Sequence, residues 1–287
     1  MSGSLAVRRV GPLCLIQDRG RPGLAQIGVG ASGAADQGAY ELANRLVGNA
    51  GGAAAIELTL GGLDVTAMGA DLWIALTGAP APMHIDGRRV PAYSVEWLRE
   101  GARLAIGTPG SGLRSYLAVR GGVDAAEVLG SRSYDVMSEI GPPPLRAGDV
   151  VPIGTAVAAD PIVDHAPPPI RADETVLRVV RGPRDSHVAG LESLVNTTWT
   201  ASQQSNRIGI RLYGARLQPS VQAGQLSSEG AWRGAIQVPP GGQPVVFLAD
   251  HPVTGGYPVV GVVRDADVDL AAQVRPGEPV RFVWATP

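Results

Sequence analysis

Asp250 and His251 stand side by side in a loop that also holds Thr254, Gly255, Gly256 and Tyr257. A histidine titrates near neutral pH, and a carboxylate beside it raises its pKa, so the two are candidates for acid–base work. Adjacent residues of an extended chain point to opposite sides, however, so the alternative is that each satisfies a buried backbone group. Gly255 and Gly256 have no side chains and can turn N–H groups toward a developing oxyanion; the plainer role for either is a turn at positive φ. Ser227, Glu229 and Tyr257 are candidates for hydrogen bonds to a polar substrate. Arg207 and Arg211 are four apart, which in a strand puts two guanidiniums on one face, where they can clamp a carboxylate or phosphate. A solvated strand face, or salt bridges to neighbouring acids, is the alternative. In the first half, Gln17, Asp18 and Arg21 form a charged loop directly after an apolar run, and Asp36 opens a helical pattern. Glu57 lies inside an apolar strand pattern, where a carboxylate needs a partner such as an arginine. His84, His165 and His187 have weak cases and no metal-ligand spacing, so no metal site is expected.

The elements that must position these groups are mostly strands. Apolar runs at Gln243–Leu248 and Pro258–Val263 flank the Asp250 loop, and similar runs recur from Leu5 to Val119 and from Thr175 to Trp284. Asp86-Gly87 between two of them predicts a tight hairpin. The clearest helix spans Ala35–Val47, with Ser32 as N-cap, Asp36 in the first turn and Gly48-Asn49 as the stop. Short helices are expected near Asp185–Val195 and from a capping Asp265 to Val274. The phrases Leu98-Arg99-Glu100-Gly101, Leu145-Arg146-Ala147-Gly148 and Val274-Arg275-Pro276-Gly277 each precede a candidate strand and predict one recurrent turn. The polar run Gly130–Tyr134 fits either an anion-binding loop or a simple connection. Pro142–Pro144 and Pro167–Pro169 bracket a junction near residues 150–175, giving domains at 1–165 and 170–287.

Composition narrows the function. The 287 residues are 45% apolar, enough for a substantial core, and 39 Gly with 24 Pro favour short strands and turns over long helices. The net charge of −2 argues against nucleic-acid or membrane-surface binding through bulk charge. All 24 basic residues are Arg. The chain therefore cannot carry biotin on a lysine, form a lysine Schiff base or supply a phosphate-loop lysine, and no Walker motif is present. Gly28, Gly30 and Gly33 lack the spacing and context of a dinucleotide fingerprint. The single Cys14, set between apolar residues, permits no internal disulfide and reads as a small buried residue. No run is long and apolar enough to span a bilayer and no leader pattern is seen, so a cytoplasmic location is expected. The five tryptophans are expected mostly in the core or at interfaces.

The run SSEGAWRGAIQVPPGGQPVVFLADHPVTGGYPVVG, together with IQDRGRPG, GVGASGAADQGAYELANRLVGN, RSYLAVRGGVD, GSRSY and SNRIGIRLYG, resembles the family of the 5-oxoprolinase C subunit. That family is also called KipA or allophanate hydrolase subunit 2, and is similar to the carboxyltransferase part of urea carboxylase. The resemblance covers nearly the whole chain; Ile208 replaces a usual Met, and Pro142–Pro144 departs from the family phrase near Gly141. It implies a mostly β fold of two cyclophilin-like β-barrel domains with a few short helices. It also implies an ATP-dependent opening of 5-oxoproline to L-glutamate by a hetero-oligomeric complex. The partners would be the B-type subunit, which is KipI-like and also called allophanate hydrolase subunit 1, and the A-type subunit. Arg207, Arg211, Glu229, Asp250 and His251 would then be catalytic, and Gln17, Asp18, Arg21, Asp36, Ser227, Gly255, Gly256 and Tyr257 substrate-binding. ATP would serve the assembled complex, with no covalent biotin on this chain. Two alternatives stay open: biotin-dependent carboxyl transfer to urea or a related amide, and a non-catalytic regulator that binds a KipI-like partner.

Overall fold

The computed structural model describes residues 3–170, 172–220 and 226–285. The chain forms two compact units: Met1–Arg21 with Ser32–Asp135 and Glu139–Ile170, and Arg171–Pro287 with the loops Pro22–Ala31 and Val136–Ser138.

The first unit is built from β1 (Ser4–Arg9), β2 (Leu13–Gln17), β3 (Ala55–Thr59), β4 (Asp64–Met68), β5 (Leu72–Gly78), β6 (Met83–Ile85), β7 (Arg88–Val90), β8 (Val95–Leu98), β9 (Arg103–Ile106), β10 (Arg114–Val119) and β11 (Val150–Pro152). They form two sheets, in the orders β11-β1-β4-β9-β6-β7 and β2-β3-β10-β5-β8. Alternation along each strand sends Leu5, Val7, Val65, Leu104, Ile56, Ile74 and Leu117 into one apolar core. Both residues of the β6–β7 turn are at positive φ, Asp86 at 48° and Gly87 at 80°, as a primed hairpin turn requires. A second small core packs helix α1 (Gln37–Leu46) through Tyr40, Ala43 and Leu46 against Ala75, Tyr116 and Ala118.

Helix α1 is capped by Asp36, whose side chain accepts from the Ala39 N–H at 2.9 Å, not by Ser32 as expected. Ser32 is at φ 53°, and its hydroxyl donates to the Tyr134 carbonyl instead.

In the second unit, β12 (Thr175–Arg181), β14 (Thr198–Ala201), β15 (Gly209–Tyr213), β18 (Ala235–Gln237), β19 (Val245–Phe247), β21 (Val259–Val263) and β22 (Pro279–Trp284) close a seven-stranded barrel in the order β12-β21-β18-β19-β15-β14-β22. Closure is by the parallel pair of β12 and β22, and it leaves no barrel strand with an open edge. Two small ribbons accompany it: β13 (Val188–Ala189) with β16 (Gln218–Pro219), and β17 (Glu229–Gly230) with β20 (Thr254–Gly255). The helix expected over Asp185–Val195 is broken into a 3-10 turn, Asp185–His187, and the short α2 (Ser193–Asn196), with β13 and Gly190 at φ 62° between them. Helix α3 runs Asp265–Ala271 and its N-cap is Arg264, so Asp265 lies inside the first turn and does not cap it.

The recurrent turn is real. Gly101, Gly148 and Gly277 have φ of 79°, 96° and 88°. In each, the residue after the glycine donates to the carbonyl of the arginine three before it: Ala102 to Arg99, Asp149 to Arg146 and Glu278 to Arg275. These turns lead into β9, β11 and β22.

The tryptophans divide between core and surface. Only Trp199 is fully buried, with its indole N–H on the Leu194 carbonyl at 2.8 Å. Trp73 and Trp97 are a directly opposed pair on β5 and β8, edge to face at 5.0 Å, and both are exposed. Trp232 is 69% exposed, and Trp284 lies half-buried under the Arg181 guanidinium at 4.6 Å.

Cys14 is buried in the first core, and burial, with the Asp149 and Glu57 charges, pushes its thiol up to about 12. The thiolate is the reactive form. Native protein should therefore show no titratable thiol with a disulfide reagent at neutral pH and one after denaturation; rapid native labelling would contradict the burial.

Candidate functional site

In the first unit the predicted residues gather on one buried polar system. β2 ends at Gln17, so Asp18 is the first residue free to bend away from the ladder, and it is nearly buried. Its carboxylate accepts from the Gly20 N–H at 2.7 Å and from the Ser131 hydroxyl, the Ser133 hydroxyl and the Arg132 N–H, each at 2.6 Å. The loop Gly130–Tyr134 does bind an anion, and the anion is the protein's own Asp18. Arg21, also buried, donates to the Val128 and Ser133 carbonyls and props the same loop. Asp18 and Arg21 both hold this loop, and the Asp18 oxygens already accept from four donors. Ser131 and Ser133 fall outside the site residues expected from sequence, although the composition of GSRSY carries the signal.

Gln17 is fully buried; its amide nitrogen donates to the Tyr134 carbonyl at 2.7 Å, while its Oε1 is buried without a hydrogen-bond partner among the described residues. Glu57 has the arginine its burial demanded, with Arg114 Nε 3.7 Å from Oε1 and both side chains buried. Its Oε2 also accepts from the Ala35 N–H at 3.0 Å and the Tyr116 hydroxyl at 2.8 Å. Burial, then the Glu57 charge, holds the Tyr116 hydroxyl well above its ordinary range. Tyr116 therefore keeps its proton for Glu57 and accepts from the Asp36 N–H at 2.8 Å. Asp36 is the helix cap of this network.

In the second unit the buried centre is an ion pair. Arg207 and Asp250 are 1% and 0% exposed, and their side chains meet through Nε–Oδ2 at 2.8 Å and Nη2–Oδ1 at 2.9 Å. The backbone explains the meeting. Gly209 opposes Phe247 on β15 and β19; beyond these strands the Leu248 N–H donates to the Ile208 carbonyl and the Asp250 N–H to that of Arg207. The ladder thus brings two distant residues to matching positions. Asp250 Oδ2 also accepts from the Val136 N–H at 3.0 Å.

Arg207 and Arg211 do not form the expected two-arginine face. Asn206 accepts from the Ile208 and Gly209 N–H groups and bends the chain before β15, leaving Arg207 buried on Asp250 while Arg211 is exposed. Asp250 pairs with Arg207, while His251 stacks on Phe247 at 5.9 Å and its Nδ1 is 2.8 Å from the Pro252 carbonyl. The carbonyl can only accept, so this contact puts a proton on His251 Nδ1. Glu229 is bound by two Arg184 nitrogens, Nε at 3.0 Å and Nη2, which hold its carboxyl below the usual range. Arg184 is a partner of Glu229 that sequence does not reveal; nothing in its local pattern distinguishes it.

β17 and β20 pair Glu229 with Gly255. Neither Gly255 nor Gly256 is at positive φ, which removes the plain turn explanation. At Gly255 the constraint is space: a Cβ there would sit 2.4 Å from Gln237 Nε2, which is tied to the Tyr257 carbonyl. Gly256 has open room around it. Ser227 and Tyr257 are exposed. Among the described residues no group of three His, Cys, Asp or Glu is placed to hold a metal, and no helix is long and apolar enough to cross a membrane.

A closed barrel and a two-sheet β unit in one chain, with a buried Arg–Asp pair at the end of two barrel strands, form the setting in which relatives become informative. The chain belongs to the carboxyltransferase domain family, subdomain A and B, which it matches over residues 27–284. It is 37% identical to the 5-oxoprolinase C subunit of Escherichia coli (strain K12), over 97% of this chain and 90% of that protein. It is 32% identical to urea amidolyase of Saccharomyces cerevisiae, over 93% of this chain and 16% of that much longer protein. The crystal structure of the K. lactis urea amidolyase superposes with a TM-score of 0.92 at 28% identity, covering 99% of this chain and 19% of that one.

Proposed function

We propose that this chain is one component of an ATP-dependent 5-oxoprolinase that opens 5-oxoproline to L-glutamate together with A- and B-type partners. The observation carrying this reading is the 37% identity to the 5-oxoprolinase C subunit across nearly the full length of both chains. A lactam carbonyl is a poor electrophile, and phosphorylating its oxygen from ATP makes the carbon a better one, so that water can add there and the C–N bond can break; the protein's task is to place donors around the developing charge. His251 directs Nδ1 at the Pro252 carbonyl, a contact that orients its ring. The Arg207–Asp250 pair fixes the strand end from which His251 extends. The arginines expected to hold phosphates do not fit that role as a pair, because Arg207 is committed to Asp250 and Arg211 is exposed.

The likeness to the K. lactis urea amidolyase supports a second reading, carboxyl transfer to an amide, with biotin delivered on another chain because this one has no lysine. Purified chain, alone and with A- and B-type partners, should be assayed for glutamate from 5-oxoproline and ATP. Glutamate is expected only with the partners present. Full turnover by the isolated chain defeats the multi-component reading. Carboxylation of urea with a biotin-carrying partner, and no glutamate, favours the second. Tight partner binding without turnover of either kind favours the regulator.

A further inference from the structure

β8 is the last strand of its sheet, and its outer edge is only partly covered. The cover is the chain's own segment around His165. The Val95 N–H donates to the Asp164 carbonyl, the Ala166 N–H donates to the Tyr93 carbonyl, and Ser94 stands opposite His165. Continued along the edge, this antiparallel register sets Ile162 against Trp97. It does not continue: Ile162 is 94% exposed, and among the described residues no bridge joins it to Trp97.

The backbone direction of Trp97 follows from its neighbours. The Trp73 carbonyl accepts from the Arg120 N–H, so the polar groups of Trp73 face the β10 side and not β8. Trp73 and Trp97 are therefore a non-hydrogen-bonded pair, which brings the two side chains close and turns the Trp97 N–H and carbonyl outward to the open edge. An unpaired strand edge is a template for another strand.

The side chains beside this edge are apolar. Helix α1 covers the outer face of the sheet over Ala75, Tyr116 and Ala118, and Trp73 and Trp97 form the next row along that face, outside the small core beneath the helix. Both indoles are exposed. Ile162 and Val163 are exposed too, in the segment that runs from the Arg120–Asp160 ion pair to the Asp164 bond on Val95. Large exposed apolar side chains gathered in one place mark an interaction surface.

The surrounding charge sets the chemistry of the occupant. Arg120 is spent on Asp160, and the acids Asp71, Glu96, Glu100 and Asp164 outnumber Arg99. Two copies of this chain placed face to face would bring these acids together, whereas a basic partner matches them. We propose that the free part of the β8 edge, at Trp97, takes up an extended basic segment of another protein as an added strand. The segment's backbone pairs with the Trp97 N–H and carbonyl, its apolar residues lie on the Trp73–Trp97 face, and its basic residues alternate onto the face of Glu96. None of these residues takes part in the reaction proposed above, and binding is read on the full chain without turnover.

The probe is a capped octapeptide of alternating lysine and valine; its counterpart carries glutamate for lysine. Binding is followed through the indole and backbone N–H resonances of Trp73 and Trp97. The lysine peptide is expected to bind saturably, to shift both indole signals and to slow exchange of the Trp97 amide about tenfold or more. Trp97→Ser and Glu96→Lys should each weaken it by about tenfold. If Trp97→Ser does not fold, Glu96→Lys and the wild-type Trp97 amide decide. The proposal is overturned by a glutamate peptide that binds as well as the lysine peptide, by binding that leaves the Trp97 amide unprotected, or by no saturable binding of the lysine peptide. Self-association of the chain in sedimentation, abolished by Trp97→Ser, would give the face to a second copy and overturn it equally.

Discussion

Replacing Asp250 by alanine is expected to destabilise the protein by about 3–5 kcal/mol, because it leaves the buried Arg207 guanidinium charged and uncompensated. The pair is two-pronged and nearly inaccessible, so water cannot substitute for the lost carboxylate. Arg207→Ala should cost a comparable amount by stranding Asp250. The double variant Arg207→Met with Asp250→Leu removes both charges and keeps apolar volume, and it should recover most of the stability. Urea unfolding of the four proteins measures this directly. The same set separates structure from chemistry: the double variant, assembled with its partners, should fold but lose turnover if His251 depends on this strand end. A single variant within about 1 kcal/mol of wild type would mean the pair is not the anchor it looks like.

Asp18→Ala should produce the second largest loss, about 2–4 kcal/mol, with a local signature. Two of the four donors on Asp18 are hydroxyls that can rotate to other acceptors, but the Gly20 and Arg132 N–H groups cannot. Asp18→Asn keeps the shape and presents a donor to donors, so it should recover little. Amide exchange at Gly20, Arg132 and Ser133 should speed up well before the rest of the first unit. Unchanged exchange at these amides would show that Arg21 alone holds the loop.

Strands are legible in the sequence where side-chain alternation or punctuation is strong. Met83–Ile85, Val95–Leu98 and Arg103–Ile106 lie within the recurring apolar runs of the first half, Thr175–Arg181 and Pro279–Trp284 open and close those of the second, and Asp86-Gly87 forms the turn its residues demand. Failures arise where a local rule is overruled by a distant partner or by the chain's own local bend. Ser32 satisfies cap chemistry, yet Tyr134, far along the chain, takes its hydroxyl and Asp36 does the capping. The spacing of Arg207 and Arg211 holds for a regular strand, but the bend at Asn206 starts that strand only at Gly209. Burial of Glu57 makes an arginine partner predictable in kind; that it is Arg114, with Tyr116 as a second donor, depends on the register of β3 against β10. The assignment of Pro22–Ala31 and Val136–Ser138 to the second unit is not written in any contiguous pattern.

The placement of the tryptophans gives each unit its own optical signature. Trp73 and Trp97, edge to face at 5.0 Å, are close enough for their transitions to couple, so the resulting circular-dichroism couplet belongs to the first unit alone. Trp199 is sealed in the second, while Trp232 stands in solvent, so acrylamide will silence the exposed emission and leave a blue, protected component from Trp199. Total fluorescence intensity mixes these sources and will understate any partial unfolding. Followed separately, the couplet and the protected emission report on two different hydrophobic cores in one sample, without a label and without cutting the chain.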